Sequence, residues 1–530
     1  MDIITAAMII PGGVLLGIII LGFLQYHLRN NSLPYINSRH LKFFARKYAS
    51  DRPLHRYLRS MGITTPLYLL GLLSILAINA TVLAISKSRA VLIKRSGEAF
   101  LINLILLLVC GRPNVFSERV HISQQFKNFI HRWLSVVAMV ECAVHLTAAL
   151  SPIRSGTRPF TSASSIAGLT AAISIAVLGV FSLPFVRRHA YELFLSTHIA
   201  LTVIIIVAIF LHLAPFDFSQ PSIILLIIAG SLCAILIAVR IGISLWNRAE
   251  VRIFEENGLL KAEITLAKPR QVSAGQYVFL RVPSTSVLSI NESHPFFIAS
   301  WDQDRDNKAR NVTALIQRRK GFTRLLQAQP TAVRAFLEGP YGESPLAEDY
   351  GNVILFASGI GITAHLGCIK QLLNARDQGP TRTQVISLLW EVDEIEPWDA
   401  AIKMVHKLLD QDADRCDRET PDWKNARSRF VFQYTMFVRH HGLDWPEKSS
   451  ESMRGRQRWK FGALNATSTL TQELTNVEVQ GQRLTRTLIS VCANREMTDM
   501  VRSAYASTLE VEEAGREEVV LHTYDFHPDA

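Results

Sequence analysis

The chain has 530 residues, of which 49% are hydrophobic, and carries a formal net charge of +11. This length is enough for several domains, and so basic a chain raises the question of nucleic-acid binding. The positions of the charges argue against that class. Basic residues cluster between the first two apolar runs, at Arg29, Arg39, Lys42, Arg46, Lys47, Arg52, Arg56 and Arg59. This is the positive-inside pattern of a membrane protein, so we expect lipid around the chain and no nucleic acid.

The long apolar runs fall almost entirely before residue 247. Runs of about twenty apolar residues can cross a bilayer as helices. The seven candidates are Ile3–Leu24, Ile63–Ile85, Ala99–Gly111, Phe129–Leu150, Ser162–Val186, Leu193–Phe216 and Ile223–Val239. Because the third is short and flanked by charges, six spans is the alternative. We predict an amino-terminal span and basic cytosolic loop at 1–62, a helical membrane bundle at 63–246, and a cytosolic carboxy-terminal half.

Two of these runs carry histidines at a repeated spacing. His131 and His145 are fourteen residues apart, and so are His198 and His212 two spans later. In a helix, that spacing places both rings on one face, about 21 Å apart along the axis. We expect His131 to face His198 near the inner side and His145 to face His212 near the outer side. Two facing pairs of imidazoles suit two bis-histidine haems, whereas polar residues that merely line a bundle are the alternative.

Glu141 lies between His131 and His145 on the same apolar run. Contact with a haem edge, a proton path and an ordinary hydrogen-bonded carboxyl are all compatible with its position.

The pattern changes after Trp246 to short strand-like runs. LLKAEITLA and QYVFLRVPS, with a turn near Gly275, predict an antiparallel β-barrel domain at 247–348. HPFFIAS begins at His294, GFT at Gly321 opens a helix, and LEGPYG ends at Gly342. Backbone donors and a hydroxyl at a helix start suit a pyrophosphate, although a turn or cap is the alternative for each motif alone.

A second soluble domain is predicted at 349–530. NVILFASGIGITAHL from Asn352 indicates a buried strand, a glycine turn and a helix, in which Gly359 and Gly361 allow close approach of a phosphate. TQVISLLW, RFVFQYTMF and TLISVCAN predict further strands of a doubly wound α/β sheet. Cys492 ends the last of them, where such sheets bind ligands. The polar stretch around 395–473 is predicted to be a solvated or partly disordered insertion.

In this order the segments resemble the fungal ferric reductase family, within the wider group of transmembrane flavocytochromes b that includes the NADPH oxidases. The resemblance covers roughly residues 60 to 505. It is carried by the doubled histidine spacing and by GRPNVF, HRW, RRHAYELFLSTH, HPFFIAS, LEGPYG and SGIGIT. It implies a ferredoxin-reductase-like unit with FAD in the barrel domain and NADPH in the α/β domain, and two b-type haems in the bundle.

The resemblance also implies roles for particular residues. The haem iron would be bound by His131, His145, His198 and His212. The flavin would lie near His294, Pro295, Phe296, Gly321, Thr323, Gly339 and Gly342. The nicotinamide dinucleotide would face Gly359, Gly361, Thr363 and Cys492. Phe297 departs from the usual hydroxyl residue after HPF, and no Arg closely follows Trp390, which leaves NADH open beside NADPH.

The implied activity is that of an NADPH-dependent ferric-chelate reductase in the plasma membrane. Electrons from cytosolic NADPH would pass through FAD and the two haems to extracellular ferric or cupric chelates, in support of iron or copper uptake. The alternatives are an NADPH oxidase that makes superoxide, a non-catalytic degenerate relative, and a location in the vacuolar membrane.

Overall fold

The computed structural model of the protein describes residues 54–111, 123–151, 162–214, 216–282, 293–304, 306, 308–319, 322–327, 332–342, 344–419, 430–440, 451–452, 455–479, 486–512 and 519–524. Within these residues, one compact unit comprises Arg56–Gly242 and a second begins at Ile243. The predicted span Ile3–Leu24 and most of the basic loop lie outside the described residues. The two units are taken in turn.

The first unit is helical. Its helices are α1 (Arg56–Ser60), α2 (Pro66–Ala84), α3 (Arg89–Cys110), α4 (Gln124–Leu150), α5 (Ala163–Phe181), α6 (Pro184–His189), α7 (Tyr191–His212) and α8 (Pro221–Trp246). Among the described residues, five of these (α2, α4, α5, α7 and α8) are long and apolar enough to cross a membrane. Helix α3 has 22 residues but carries charges in its first half. The predicted helical bundle is therefore confirmed, with a span count close to the expected one.

The helices begin and end where local chemistry dictates. Ser88, Ser123 and Ser162 each accept a backbone N–H at the start of α3, α4 and α5, which satisfies donors that the first turn leaves free. Helix α5 ends at Phe181, before the predicted boundary of Val186, and Pro184 then starts α6. Proline disfavours a helical conformation of the preceding residue, so the chain breaks there.

The helices that carry the histidines are held in antiparallel pairs. On α4, His131 bonds to the Leu107 carbonyl and His145 to the Ile93 carbonyl, both on α3. Between α5 and α7, Ser164 and His212 exchange two hydrogen bonds. Each histidine helix is therefore fixed in register against one neighbour.

The second unit begins with an antiparallel sheet. Its strands are β1 (Arg248–Glu256), β2 (Leu259–Arg270), β3 (Tyr277–Arg281), β4 (His294–Phe297), β5 (Ser300–Gln303), β6 (Ala309–Gln317) and β7 (Val333–Tyr341). The order is β4-β3-β7-β1-β2-β6-β5. Alternate residues of β1 are buried, as expected for a strand with one face on a core. A short helix, α9 (Phe322–Gln327), lies between β6 and β7. The predicted antiparallel barrel-like domain is confirmed.

A largely parallel sheet follows. Its elements are β8 (Asn352–Ser358), α10 (Ile362–Gln378), β9 (Val385–Val392), α11 (Asp399–Glu419), β10 (Phe432–Val438), β11 (Glu451–Ser452), β12 (Gln457–Phe461), α12 (Ala466–Val479), β13 (Thr487–Cys492), α13 (Arg495–Glu512) and β14 (Val519–Thr523). The order is β11-β12-β10-β9-β8-β13-β14, and only β11 pairs antiparallel. All residues of β8 and β13 are buried, as in a sheet covered on both faces. This is the predicted α/β domain.

The polar stretch 395–473 contains more regular structure than expected for a solvated insertion. Beside the predicted strand β10 it includes α11 and β12, and β12 extends the sheet through parallel pairing with β10. Helix α11 buries Ala401, Val405 and Leu409 together with Asp412, whose carboxylate accepts from the Phe432 N–H of β10. The stretch is polar on average because only one face of its helix is buried, and this average led to the prediction of a solvated insertion. Residues 420–429 and 441–450 lie outside the described residues.

The two sheets of the second unit meet along α10. The Lys370 ammonium donates to the Ser300 hydroxyl at 2.9 Å and to the Trp301 carbonyl at 2.6 Å. One turn earlier, Gly367 lies so close to the barrel that an added Cβ would be 2.9 Å from the Trp301 ring and 3.0 Å from the Ile298 carbonyl oxygen. Glycine at this position allows the two domains to pack directly.

We expect Gly367→Ala to lower the free energy of unfolding by about 1–3 kcal/mol, because the added methyl group overpacks this contact. Gly379→Ala is the matched control, since nothing lies within 4 Å of its Cβ position. Denaturant titration of the full chain in detergent, followed by tryptophan fluorescence, measures both. Equal midpoints for the two variants would contradict the close contact.

Candidate functional site

The four bundle histidines lie opposite each other in two pairs. The ring centroids of His131 and His198 are 6.1 Å apart, and those of His145 and His212 are 6.3 Å apart. We call these the inner pair (His131 and His198) and the outer pair (His145 and His212), after the predicted orientation. Helices α4 and α7 each contribute one ring to each pair.

Hydrogen bonds fix the orientation of three of the four rings. Nδ1 of His131 lies 3.2 Å from the Leu107 carbonyl, and Nδ1 of His145 lies 2.9 Å from the Ile93 carbonyl. Nδ1 of His212 is 2.8 Å from the carbonyl of Ser164. A carbonyl only accepts, so Nδ1 carries the proton in each case and Nε2 keeps a free lone pair. This tautomer is the one that metal-binding histidines usually adopt.

The spacing within each pair fits a metal ion held between two imidazole nitrogens. Bonds of the usual ~2 Å would place the two ring centroids about 6.3 Å apart. Among the described residues, no group of three or more His, Cys, Asp and Glu side chains could hold a metal ion. Within the described residues, each pair therefore offers two imidazole nitrogens, which would suit a metal whose remaining ligands come from a macrocycle.

Glycines make room for the outer pair. A Cβ at Gly168 on α5 would be 2.6 Å from Nδ1 of His212, and one at Gly97 on α3 would be 3.3 Å from the His145 ring. The neighbouring helices can therefore approach these rings closely enough for the carbonyl hydrogen bonds to form.

Glu141 belongs to a buried polar network of three helices. Its Oε2 accepts from the Asn103 amide at 2.8 Å, and the same amide donates to Asn79 Oδ1 at 3.0 Å. Glu141 is 1% exposed, and its Oε1 has no hydrogen-bond partner among the described atoms. The network joins α2, α3 and α4. Of the alternatives for Glu141, these contacts favour an ordinary hydrogen-bonded carboxyl.

In the barrel, the residues of HPFF form strand β4. The ring of His294 stacks on Phe322 with centroids 4.4 Å apart and planes 15° apart, and Phe296 lies beyond it, 6.4 Å from Phe322. Burial lowers the pKa of His294 to about 4, so the ring is neutral near pH 7. His294 is thus a half-buried, uncharged ring stacked on the fully buried Phe322.

The carboxyl end of β7 and the residue after it require glycines. Gly339 has φ +118° and precedes Pro340, and Gly342 has φ +96°. An added Cβ would be 3.1 Å from the Tyr277 carbonyl at Gly339 and 3.0 Å from the Tyr277 ring at Gly342. The hydroxyl of Thr323 exchanges hydrogen bonds with the backbone of Arg319, while Gly321 lies outside the described residues.

The glycine turn of the α/β domain follows β8 directly. Gly359 has φ +48°, and its carbonyl accepts from the Trp390 indole at 2.9 Å, so the turn is tied to the end of β9. Gly361 ends this turn at the start of α10, and the Thr363 hydroxyl donates to the Ile360 carbonyl at 2.8 Å. The N-terminus of a long helix therefore faces this turn, as in sites that bind phosphate groups.

Cys492 lies at the carboxyl end of β13, in a cluster with Ala364, Tyr524 and Phe297. Burial raises the pKa of its thiol, which stays protonated. Phe297 of the barrel meets Tyr524 edge to face at 5.5 Å, so the ring that replaces the expected hydroxyl joins the two domains. Sequence reasoning missed Tyr524, although its place just after a strand was a usable signal.

A second missed residue is Arg439, which follows β10. Its guanidinium lies 2.8 Å from the Glu391 carboxylate at the end of β9, and Glu391 is 2% exposed. Arg439 therefore brings a basic group from the neighbouring strand to Glu391, the residue that follows Trp390. In the sequence, only its position just after a predicted strand marked this residue as a candidate for the site.

The fold and these sites define a class: a helical membrane protein that continues into a two-domain reductase unit of the ferredoxin-reductase type. Residues 96–209 match the family model described as ferric reductase like transmembrane component. Residues 245–345 match an FAD-binding domain, and residues 350–420 match the ferric reductase NAD binding domain. The chain belongs to the ferric reductase family, and its two soluble domains are of the kinds that bind FAD and a nicotinamide cofactor.

Curated relatives show the same likeness. The chain is 25% identical over 315 residues to the probable cell surface ferric reductase kap2 of Aspergillus oryzae, covering 54% of this chain and 41% of that protein. It is 26% identical over 272 residues to ferric/cupric reductase transmembrane component 2 of Saccharomyces cerevisiae, covering 49% and 37%. For the Schizosaccharomyces pombe protein of that name, identity is 24%, and coverage is 57% and 60%. The chain thus spans less than two thirds of the length of each of these relatives.

Two buried neutral histidines in the reductase unit predict acid sensitivity. Burial lowers the pKa of both His294 and His365 to about 4, below the ordinary value of 6.5. Between about pH 6.5 and pH 4 the unfolded chain therefore binds protons that the folded chain does not. Stability should fall in this window by up to about 3 kcal/mol per histidine and should be unaffected above it.

Thermal unfolding of the full chain in detergent, measured from pH 7.5 to 4.5, tests this expectation. His365→Gln should flatten the pH dependence, whereas His440→Gln, at an exposed position, should not. An unchanged slope in His365→Gln would show that this ring is not the source of the acid sensitivity.

Proposed function

We propose that the chain is a transmembrane oxidoreductase that uses NADPH, FAD and two bis-histidine b-type haems to reduce ferric or cupric chelates on the opposite side of the membrane. The observation that carries the proposal is the geometry of the histidines. Two opposed pairs lie fourteen residues apart on the same two helices, at separations that suit a metal between the rings. The names of the fungal relatives support the choice of ferric and cupric acceptors.

The chain's own residues have distinct tasks in this proposal. His131, His145, His198 and His212 would hold the haem iron with Nε2. His294, Pro295, Phe296 and Phe322 would support the flavin, with Gly321, Thr323, Gly339 and Gly342 at its edges. Gly359, Gly361, Thr363 and Cys492 would line the nicotinamide dinucleotide site. When bound, FAD supplies the chemistry that accepts hydride and releases electrons singly to one-electron carriers.

Arg439 supports a preference for NADPH over NADH. A basic side chain near the strand ends of such a sheet can accommodate a 2′-phosphate, whereas a carboxylate there suits a ribose hydroxyl. The Glu391 carboxylate is already paired with Arg439 and with the Leu464 N–H, so it is a poor acceptor for a ribose.

Each haem iron would be held by two histidines of the chain, and with both in place no iron position would be open to a substrate. Transfer to the final acceptor would therefore be outer-sphere, which suits bulky chelates that never reach the iron. We place the protein in the plasma membrane, with the reductase unit in the cytosol and a role in iron or copper uptake.

The test is an assay of the purified full chain, in nanodiscs, with NADPH and an Fe(III) chelate. We expect ferrous product at a rate insensitive to superoxide dismutase, together with a b-type haem spectrum that NADPH reduces. His145→Ala should lose chelate reduction while flavin reduction persists. Dismutase-sensitive iron reduction would identify an NADPH oxidase instead, and a haem-free spectrum would leave a non-catalytic relative.

The glycine beside the outer pair gives a sharper test of ligation. Gly168→Ala should lower the haem content from roughly two to roughly one per chain, because the methyl group displaces the His212 ring from the metal. Gly230→Ala is the control, since nothing lies within 4 Å of its Cβ position. Pyridine haemochrome analysis measures the ratio, and an unchanged ratio in Gly168→Ala argues against His212 as a ligand.

A further inference from the structure

The carbonyls that hold the histidine rings follow a regular pattern. On α3 the accepting carbonyls of Ile93 and Leu107 are fourteen residues apart, which matches the spacing of their partners on α4. The contacts run in opposite directions along the two helices. In the other antiparallel pair, Ser164 on α5 accepts from His212 on α7. The same register places Leu178, fourteen residues after Ser164, opposite His198.

That fourth hydrogen bond is missing. Nδ1 of His198 is buried and has no hydrogen-bond partner among the described residues. The Leu178 carbonyl instead accepts from the Ser182 hydroxyl at 2.7 Å and from the Ser182 N–H at 3.0 Å. Ser182 therefore occupies the acceptor that the helix register assigns to His198.

The residue four positions after each carbonyl explains the difference. Gly97 follows Ile93, Gly111 follows Leu107 and Gly168 follows Ser164, but Ser182 follows Leu178. At Gly97 and Gly168 an added Cβ would crowd the histidine ring, so glycine leaves the space that the ring fills. Ser182 fills that space with a Cβ and adds a competing hydroxyl.

A hydroxyl on α3, in the first helix pair, does not interfere in the same way. Ser96 approaches the Ile93 carbonyl at 3.1 Å, but its shorter bond, 2.7 Å, is to the Leu92 carbonyl. His145 still reaches Ile93 at 2.9 Å. The inner pair is thus the one with a ring that lacks a main-chain acceptor.

We propose that Ser182 is a positioning residue that withholds a hydrogen bond from His198 and thereby makes the inner haem easier to reduce than the outer haem. A hydrogen bond from Nδ1–H raises the basicity of the ligating nitrogen, which favours ferric over ferrous iron and lowers the reduction potential. Both ligands of the outer haem have this bond, whereas the inner haem has it on His131 alone. The inference rests on the proposed haem ligation.

The experiment is a potentiometric titration of haem absorbance in the full chain, with Ser182→Gly as the test variant. Freeing the Leu178 carbonyl should lower the inner potential by about 59 mV, which corresponds to a tenfold change in the ferric-to-ferrous equilibrium for one electron. The outer potential should not move. The His145→Ala background, which retains the inner haem, assigns the signal, and the ferric electron paramagnetic resonance spectrum should show the altered ligand field.

Ser182→Thr is the matched control, because it keeps the Cβ and the hydroxyl and should keep the wild-type potential. Ser182→Ala removes only the hydroxyl and should move the inner potential in the same direction, which repeats the test if glycine loosens the helix end. An unmoved inner potential in both variants, an equal shift of both haems, or the same shift in Ser182→Thr would overturn the inference. If the wild-type protein contained fewer than two haems, both this inference and the proposed function would be wrong. If it contained two haems but the Ser182 variants left the inner potential unmoved, only this inference would be wrong.

Discussion

The hydrogen bond from an imidazole Nδ1–H to a main-chain carbonyl of the neighbouring helix is the interaction on which the membrane half depends. A helical carbonyl already accepts the N–H four residues later, but its second lone pair remains available. His131, His145 and His212 use that capacity, so the rings are oriented without a break in either helix. Because the acceptor belongs to the backbone, no charged side chain has to enter the apolar bundle.

This device requires close contact between helices. The ring must lie against the neighbouring backbone, and an added Cβ at Gly97 or Gly168 would obstruct it. The polar network of Glu141, Asn103 and Asn79 supplies a further tie between helices at another level of the bundle. Ring orientation and helix packing are therefore one constraint, and a change in either disturbs the other.

The reductase half uses a different scaffold. Parallel strands end at one edge of the sheet, so Gly359, Trp390 and Cys492 come from separate parts of the chain and meet there. Contacts of α10 with the barrel and of Tyr524 with Phe297 then join the two domains. Rigid elements thus set the positions of turns that have little structure of their own.

Much of this organisation could be predicted from local patterns. Hydropathy located the helices, period-two alternation located the barrel strands, and the fourteen-residue spacing placed the histidines on one helix face. The carbonyl partners could not be predicted, because the register between α3 and α4 depends on the connection and packing, not on either segment alone. Tyr524 and Arg439 escaped notice because each is one residue whose neighbours are distant in sequence. The region around α11 and β12 was misjudged because polar residues on an outer face conceal a buried one.

The pairing of helices also bears on how the membrane half is assembled. Helices α3 and α4 form one hairpin, α5 and α7 lie together in another, and each proposed haem takes one ligand from each hairpin. The hydrogen bonds within each hairpin, at His131 and His145 in the first and at His212 in the second, involve no cofactor. Each proposed haem would therefore add a crosslink between two hairpins that are already held internally, and cofactor binding would strengthen the joint between them.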